Sequence, residues 1–453
     1  MNYFVIFLQY LREVLPLPFF FDTLPNFILY CFHFSLKIFV QEGDSMRNRK
    51  KIWIALALFI CLTLTLSACG EKKKPEPEKK AQEAAPFIFG MILVGPYNDH
   101  GWSEAHYMGG KYAESKIPNS KMIYVDNVNP GAKPGVTVPQ VAEDLISKGA
   151  KIIFTTSDDF KDGTLEAAKK HSNIPFVNVS GDHAWKEGKD YKAPNNLSNF
   201  MGRMEYGKMI AGAAAALTTK TGKIGYLGPL INDETRRLAA SAYLGAKYAW
   251  TNILKRDPKK LKFKATWIGF WFNIPSQTLD PTKVAVDFYK SGYDVVISGI
   301  DTTEALVEAN KMAKAGKKVW AIQYDYMGAC KQAEEVCLGV PYFNWGPAYV
   351  KAVKMVMEGK WVQYWEWNGP DWKDINHPDS SAVGFIKSKG LSPENAEKVD
   401  GFIKGLADGS INLFKGPLQF QDGKTYLKEG ETATDLQVWY FPQLLKGMEG
   451  ARK

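Results

Sequence analysis

The segment FIFGMILVGPYNDHGWSEAH, residues 87–106, contains the pattern on which the rest of the chain is built. Residues 87–95 form an apolar run, which is typical of a strand buried on both faces of a parallel sheet. A polar and aromatic loop follows, and residues 102–117 then place apolar side chains at helical spacing. A buried strand followed by an amphipathic helix predicts one unit of an α/β sheet.

This strand and helix unit recurs along the chain. Strands are predicted at 87–95, 121–126, 151–157 and 175–181, then again at 223–230, 264–272, 294–300 and 317–325, with helices near 233–250, 281–291 and 302–315 in the second set. Two successive sets predict two lobes, each with a parallel sheet covered by helices. Between the sets, residues 196–222 contain a helix of small residues that we expect to pack closely against a sheet.

An export signal precedes the first strand. From Met46 the chain has a basic start, an apolar run at 52–66 and small residues before Cys69. That run is shorter than the roughly 20 residues that span a bilayer, so a processed signal is expected at 46–68. The end of this signal resembles a bacterial lipobox, which predicts acylation of Cys69. The alternative is an ordinary signal in which the cysteine is incidental. Lipidated Cys69 and a charged tether are expected to occupy 69–86.

Residues 1–45 are apolar and aromatic, and three prolines interrupt any helix there. Gln41 to Gly43 can be encoded by a purine-rich ribosome-binding sequence just before the Met46 codon. We therefore interpret 1–45 as upstream translation absent from the mature protein, with a membrane segment as the alternative.

Composition excludes some functions. The formal net charge of +9 is mild for 453 residues and no Arg/Lys block occurs, so no nucleic-acid partner is expected. Neither His100 nor His106 belongs to a recognisable metal-binding motif, so no metal or cofactor is expected. Cys330 and Cys337 are an even pair in an exported domain, which predicts a short-range disulfide, with two buried thiols as the alternative.

Candidate ligand-binding residues follow the predicted strands, because ligands of open α/β sheets gather at the carboxyl ends of strands. The loops concerned contain PYNDHGWSEAH at 96–106, SDDFKD at 157–162, WFNIP at 271–275, DTTE at 301–304 and YDYM at 324–327. Carboxylates and aromatic rings recur in them, and exposed rings at strand ends are unusual unless something flat covers them. Asp158 and Asp159 are interpreted as exposed loop charges.

Motifs in these loops resemble one known family. VGPYNDHGWSEAHYMGG at 94–110, IIFTTSDDFKDGTLEAAKK at 152–170, KIGYLGPL at 223–230 and FNWGPAYVKAV at 343–353 occur in the family's order and spacing. The chain thus resembles the basic membrane protein family of bacterial lipoproteins, which includes purine nucleoside receptors and serves ABC importers. The resemblance runs from about Phe87 to about Pro442.

The resemblance implies a type I periplasmic-binding fold, in which two Rossmann-like α/β lobes joined by three crossovers close on a ligand. Lobe 1 is expected at 87–202 plus about 326–363, and lobe 2 at about 203–325 plus about 364–453. The Gly101-Trp102 element and residues 344–347 are similar to the subgroup associated with purine bases such as adenine. Nucleoside receptors have a Phe where Trp102 stands, and their sugar-associated lysine has no clear counterpart near Trp345, which argues against ribose recognition.

A purine needs aromatic faces above and below it and polar groups at its rim. The predicted ligand-binding residues are Asn98, Asp99, Trp102, Phe160, Trp271, Phe272, Asp301, Asp325 and Trp345. Trp102 is the first stacking candidate, opposed by Trp271 or Phe272, and core packing is the alternative for each ring. By resemblance the three carboxylates face the cleft as hydrogen-bond acceptors, while helix capping is the alternative for Asp301.

These observations predict a monomeric solute-binding lipoprotein of an ABC importer, anchored by lipid to the cell membrane and facing outside the cytoplasm. It would capture a purine base or nucleoside and deliver it to permease and ATPase subunits without catalysing a reaction. A receptor of the same fold for another solute, such as a sugar or a signalling metabolite, is the alternative. An exported hydrolase is a third hypothesis, and it lacks a recognisable nucleophile and base.

Overall fold

The computed structural model describes residues 85–452. The expectations for the segment 1–45, the signal at 46–68, Cys69 and nearly all of the tether therefore lie outside the described residues. Between residues 85 and 452, no helix is both long and apolar enough to cross a bilayer.

Fifteen strands and ten α-helices make up the described chain. The strands are β1 (Phe87–Leu93), β2 (Ser120–Val125), β3 (Ile153–Thr156), β4 (Phe176–Val179), β5 (Leu197–Gly202), β6 (Lys223–Gly228), β7 (Lys262–Trp267), β8 (Val295–Ser298), β9 (Trp320–Ile322), β10 (Cys337–Phe343), β11 (Trp365–Asn368), β12 (Val383–Lys387), β13 (Leu418–Gln419), β14 (Thr425–Leu427) and β15 (Met448–Glu449). The helices are α1 (Trp102–Lys116), α2 (Val138–Ser147), α3 (Lys161–Lys170), α4 (Met204–Thr218), α5 (Asp233–Tyr248), α6 (Pro281–Lys290), α7 (Glu304–Lys314), α8 (Gly346–Met357), α9 (Pro393–Ala407) and α10 (Asp435–Trp439).

The first sheet has six parallel strands in the order β2, β1, β3, β4, β5, β11. Every residue of β3 and β4 is buried, because helices cover both faces of the sheet. This burial explains why these strands appear in the sequence as continuous apolar and β-branched runs. The arrangement brings the carboxyl ends of β1, β3 and β4 to one edge of the first lobe.

The second sheet has seven strands in the order β15, β7, β6, β8, β9, β10, β12. All pairs are parallel except that β12 runs antiparallel to β10. The eight predicted strands correspond to β1–β4 and β6–β9, so the prediction of two α/β lobes with parallel sheets is confirmed.

Helix α4 is the small-residue helix that the sequence predicts to pack against a sheet. It contacts β10, but its closest approach is to α5. A Cβ added at Gly212 would lie 1.8 Å from the carbonyl oxygen of Ala242, and one at Gly245 would lie 1.9 Å from that of Met209. Only glycine permits this approach of two helix backbones, so the small residues serve helix packing inside lobe 2.

Three crossovers connect the lobes: between β5 and α4, between β10 and α8, and between β11 and β12. They run side by side and hydrogen-bond to one another. The amide of Arg203 donates to the carbonyl oxygen of Asn368 at 2.7 Å, and the amide of Asn344 donates to that of Ala382 at 3.0 Å. These three segments therefore form the hinge of the molecule.

The lobe boundaries differ from the predicted ones at two strands. Strand β10, inside the range 326–363 predicted for lobe 1, pairs with β9 in the second sheet. Strand β11, inside the range 364–453 predicted for lobe 2, pairs with β5 in the first sheet. Both strands lie near the hinge edges of their sheets, and their partners cannot be read from the apolar pattern of a single strand.

Cys330 and Cys337 form a disulfide in the structure. Cys330 lies in a short 3-10 helix and Cys337 begins β10, both are buried, and their Cα atoms are 5.7 Å apart. The bridge closes a small loop at the amino end of a strand in the second sheet.

Replacing both cysteines by serine (C330S/C337S) should lower the free energy of unfolding. We expect a loss of about 2 kcal/mol, because the bridge restricts the unfolded chain over a short loop. Urea unfolding of the purified protein measures it, and the wild type in excess dithiothreitol is the control. Equal midpoints for the double variant and the untreated wild type would show that the bridge does not stabilise the fold.

Candidate ligand-binding site

A cavity lies between the two lobes at the carboxyl ends of the strands. Lobe 1 contributes Trp102, Ser157, Asp158 and Ser180, and lobe 2 contributes Glu234, Trp271, Asp301 and Tyr324. Its volume is about 320 Å³ including the open mouth. The site therefore lies where the open-sheet rule places ligands.

Hydrogen bonds join the lobes across this cavity. Ser180 Oγ donates to Glu234 Oε2 at 3.0 Å. Nearby, the indole Nε1 of Trp271 donates to Asp159 Oδ2 at 3.2 Å. Because each bond has one partner in each lobe, the structure represents the closed arrangement.

Gly101 marks the closest approach of the two lobes. A Cβ added at this position would lie 1.7 Å from the carbonyl oxygen of Asp301 in the opposite lobe. Any other residue at position 101 would therefore separate the lobes at the cavity. The same close contact places Trp102, the next residue and the first of α1, directly against the cavity.

Trp102 is both a cavity-wall residue and a core residue. Its ring is 8% exposed, and its Nε1 donates to the carbonyl oxygen of Thr156 at 2.6 Å. The ring packs edge-on against His106 at 4.6 Å and Phe343 at 5.4 Å between centroids. These contacts fix its orientation before a ligand arrives. Trp271, in the opposite wall, is half-buried.

Burial raises the pKa values of carboxyl groups in the wall and beside it. Burial raises the pKa of Glu234 to about 7. Burial, with the charge of Asp158 second, raises the pKa of Asp159 to about 6. Burial followed by the charge of Asp325 raises the pKa of Asp301 well above its usual value. A protonated carboxyl group can donate one hydrogen bond and accept another, whereas an ionised one only accepts.

Asp99 caps a helix behind the wall. Its carboxylate accepts hydrogen bonds from the backbone amides of Gly101, Ser103 and Glu104, each at 2.9 Å. Negative charge at this position also stabilises the positive end of the helix dipole of α1. Asp99 is not among the residues that line the cavity, so the structure places it in a position that supports Trp102.

Asp325 is fully buried next to the cavity-wall residue Tyr324, with a φ of 69°. Lys208 of α4, also fully buried, lies beneath that wall. Its Nζ donates to the carbonyl oxygen of Ser298 at 2.7 Å and lies 3.1 Å from the ring centroid of Tyr324. Burial raises the pKa of Asp325, and the charge of Lys208 opposes that rise. Burial in turn lowers the pKa of Lys208 well below its usual value, and the charge of Asp325 opposes that fall.

The remaining predicted residues do not line the cavity. Asn98 is exposed, Phe160 is buried, Phe272 packs on Phe270, and Trp345 stacks on Phe343 and His106. Trp345 is a core residue of lobe 1, with its ring centroid 4.3 Å from that of Phe343. The structure thus brings Trp102, Trp271 and Asp301 together in the wall.

Sequence reasoning missed five residues of the wall: Ser157, Asp158, Ser180, Glu234 and Tyr324. Ser157 and Ser180 directly follow strands β3 and β4, so the strand-end rule contained the signal for them. Asp158 was interpreted as an exposed loop charge, but its Oδ2 accepts a hydrogen bond from Asn232 Nδ2 at 3.3 Å across the cleft. Glu234 lies in the first turn of α5, where a carboxylate usually serves the helix dipole.

Two α/β lobes joined by three crossovers around a cavity form a type I periplasmic-binding fold. ABC transporter solute-binding proteins from Aeropyrum pernix and Conexibacter woesei have this fold, with TM-scores of 0.56 and 0.52. Each covers 72% of this chain at 12% identity, and the matches span 93% and 98% of the solved chains. Residues 88–404 match the Bmp family of PnrA-like ABC transporter substrate-binding proteins, and the chain belongs to that family.

Several named proteins are similar in sequence. A purine-binding protein of Brucella abortus is 28% identical over 347 residues, which cover 76% of this chain and 88% of that protein. The ABC transporter nucleoside-binding protein BmpA of Lactococcus lactis is 29% identical over 196 residues, 41% of this chain and 50% of BmpA. A putative ABC transporter glucose-binding protein of Haloferax volcanii is 23% identical over 278 residues, 61% of this chain and 63% of that protein.

Membership of this family establishes the general role. The chain is a substrate-binding protein of an ABC transporter, with a small-molecule ligand and a permease as partners. Proteins of this class work on the outer side of the plasma membrane. The family is one of binding proteins and not of enzymes.

The pKa of Glu234 predicts how stability depends on pH. The folded pKa of about 7 lies above the ordinary value of 4.5. Folding therefore takes up a proton, and this contribution to stability is complete below pH 4.5 and is lost as the pH rises through 7. Glutamine does not titrate, so E234Q should not lose this contribution. The free energy of unfolding of E234Q minus that of the wild type should therefore increase progressively between pH 4.5 and pH 7.5.

Urea unfolding at a series of pH values measures this effect. The matched control is E397Q on the exposed side of α9, whose curve should run parallel to that of the wild type. A curve for E234Q that also runs parallel to the wild type would contradict the assignment of a buried, protonated Glu234.

Proposed function

We propose that this protein captures a purine base or nucleoside in the cavity between its lobes and delivers it to an ABC permease. The observation that carries the proposal is the composition of the wall. Trp102 and Trp271 present aromatic surface from opposite lobes, while Glu234 and Asp301 present carboxyl groups. A purine is a flat plate with N–H donors and ring-nitrogen acceptors at its edge, so it matches both kinds of group.

The similar proteins support the same class of ligand. The Brucella abortus relative, which is covered over 88% of its length, is a purine-binding protein, and the Lactococcus lactis relative is a nucleoside-binding protein. Neither similarity by itself assigns a ligand to this chain. Together with the aromatic and acidic wall they favour a purine over other solutes.

Ligand capture follows from lobe closure. A purine that enters the open cleft contacts the ring of Trp102, which is already held by its bond to Thr156. Closure then brings Trp271 and the carboxyl groups of lobe 2 against the ligand and removes water. In this drier environment a hydrogen bond to a carboxyl group is stronger than in water. A carboxyl group that keeps its proton can satisfy an N–H donor and a ring nitrogen together.

A sugar is the second candidate ligand. The similarity to a putative glucose-binding protein of Haloferax volcanii favours it, and carboxylates also accept hydrogen bonds from sugar hydroxyls. Titration with glucose and ribose beside the purines separates the two hypotheses. Binding of glucose without binding of any purine would replace the first proposal by the second.

We also propose that the protein is anchored by lipid on Cys69. The lipobox-like sequence ends at this residue, and the charged segment after it provides a tether to the folded domain. Two or three acyl chains would hold the protein on the membrane beside its permease, whereas one chain would bind only reversibly.

Truncation of the two tryptophans tests the proposed ligand. W102A and W271A should each weaken binding of adenine, guanosine or inosine roughly 30-fold, about 2 kcal/mol, because each variant removes an aromatic face. Isothermal titration measures the affinities. W361A is the control, since the half-buried Trp361 of lobe 1 is not part of the cavity wall and its indole N–H donates to the carbonyl oxygen of Asn195. Unchanged binding of all three purines by both variants would remove these rings from the site.

Replacement of Cys69 by serine tests the anchor. C69S should move the protein from the membrane fraction to the soluble exported fraction, because serine offers no thiol for acylation. Fractionation and intact-mass measurement detect the change, and the unchanged wild type is processed in parallel. Equal membrane retention of C69S and wild type would show that Cys69 is not the anchor.

A further inference from the structure

A C-terminal segment, residues 433–441, lies across both lobes, and we call it the strap. Strands β13 and β14 precede it, and β15, which follows it, pairs with β7 of the second sheet. The strap lies beyond residues 88–404, the part of the chain that matches the family. The family model therefore does not cover the strap.

The aromatic residue Trp439 of the strap is inserted into a box of rings from lobe 1. Its ring centroid lies 5.8 Å from Trp185, 5.2 Å from Trp365 and 5.0 Å from Trp367, with each pair close to perpendicular. Trp185 and Trp365 stack on each other at 4.0 Å with an interplanar angle of 3°. Edge-to-face packing of this kind stabilises beyond the burial of apolar area.

The next strap residue, Tyr440, makes polar contacts with the same lobe. Its hydroxyl donates to Asp182 Oδ2 at 2.5 Å and accepts from the backbone amide of Lys189 at 2.7 Å. Its ring is parallel to that of Trp185. Asp182 and Trp185 both belong to the loop that follows β4.

Lobe 2 holds the strap from the other side. The guanidinium of Arg237 lies 4.4 Å from the ring centroid of Trp439 and donates to the carbonyl oxygen of that residue at 3.3 Å. Arg236 Nε donates to the carbonyl oxygen of Phe441 at 2.8 Å. Arg237 is 2% exposed and pairs with Glu205 at 2.6 Å. Arg237 therefore lies inside the protein, between the strap and α4.

The strap is also tied to the hinge. Arg203, at the first crossover, forms a two-point ion pair with Asp435 of α10, with N···O distances of 2.9 and 2.6 Å. The same guanidinium lies 4.2 Å from the ring centroid of Trp367. Any rotation of the lobes about this crossover must therefore move the strap relative to at least one lobe.

The elements that hold the strap also form part of the cavity wall. The loop after β4 carries Ser180 in the wall and Asp182 against the strap. Helix α5 carries Glu234 in the wall and Arg237 against the strap. We propose that Trp439 and Tyr440 are positioning residues that hold this loop against the start of α5, stabilise the closed lobes and slow ligand release. The inference rests on the proposed function only for the choice of adenine as probe.

The substitution Y440F tests this role, because it removes the bonds to Asp182 and Lys189 but keeps the ring. Tyr243 offers a matched control: its hydroxyl donates to the carbonyl oxygen of Lys446, and both residues belong to lobe 2. The variant Y243F therefore removes a tyrosine hydrogen bond to the C-terminal segment without affecting the link between lobes. Spin labels at the exposed positions Met108 and Leu279, introduced as cysteines, report the distance between lobes in the full protein purified in detergent.

We expect Y440F to increase the population with separated lobes in the absence of ligand. We further expect adenine to dissociate roughly tenfold faster in stopped-flow measurements, because the lost bond involves a charged acceptor, with a smaller effect on association. Y243F should leave the distances and the dissociation rate as in the wild type. W439A should have a larger effect than Y440F if it folds.

Two results would overturn the proposal. Lobe distances in Y440F equal to those of the wild type would show that the strap does not hold the lobes closed. If Y440F and Y243F changed the lobe distances and the dissociation rate equally, the loss of any hydrogen bond to the C-terminal segment would be sufficient to separate the lobes, and the strap would have no specific role. If the wild type binds no adenine, the proposed function fails, while the distance measurement without ligand still decides the role of the strap.

Discussion

The burial of carboxyl groups between two closing lobes is the constraint on which the site depends. Glu234 and Asp301 come from lobe 2 and Asp158 from lobe 1, and in the closed arrangement the first two are buried and Asp158 is half-buried. A buried carboxylate without compensation is unfavourable, so these groups hold protons or require donors. Ser180 provides one such donor across the cleft, and a ligand with N–H groups would provide others. The acidic wall thus links the closed arrangement to the chemistry of the ligand.

The rest of the fold positions the residues of this wall. Parallel strands bring Ser157 and Ser180 to one edge of lobe 1 and Tyr324 to the facing edge of lobe 2. Gly101 allows the lobes to approach until backbone meets backbone. The hydrogen-bonded crossovers define where rotation occurs, and the strap spans both lobes beside them. The two lobes are therefore connected both by hydrogen bonds at the cavity and by the contacts of the strap outside it.

Part of the site was predictable from local sequence. Trp102, Trp271 and Asp301 follow strands, and a strand followed by a helix determines which loops reach the ligand edge. Asp99 satisfies the same rule but caps α1, because its carboxylate accepts hydrogen bonds from three backbone amides at the start of the helix. Lys208 was not predicted. It lies in a helix of small residues, and no local sequence pattern indicates that its side chain reaches the ring of Tyr324. The hydrophobic pattern along one strand does not show which of its side chains neighbouring segments cover in the folded protein.

The sequence by itself determined the two α/β lobes, the strand ends that carry the site and the resemblance to a family of solute receptors. These follow from periodicity and from motifs, both of which are local properties of the chain. Only the tertiary structure decided that β10 and β11 exchange lobes, that Asp158 and Glu234 face each other across the cleft, and that Trp439 joins the lobes at the hinge. Each of these depends on contacts between segments far apart in the chain. Such contacts are selected by burial and pairing in the assembled fold and leave no periodic signal in the sequence.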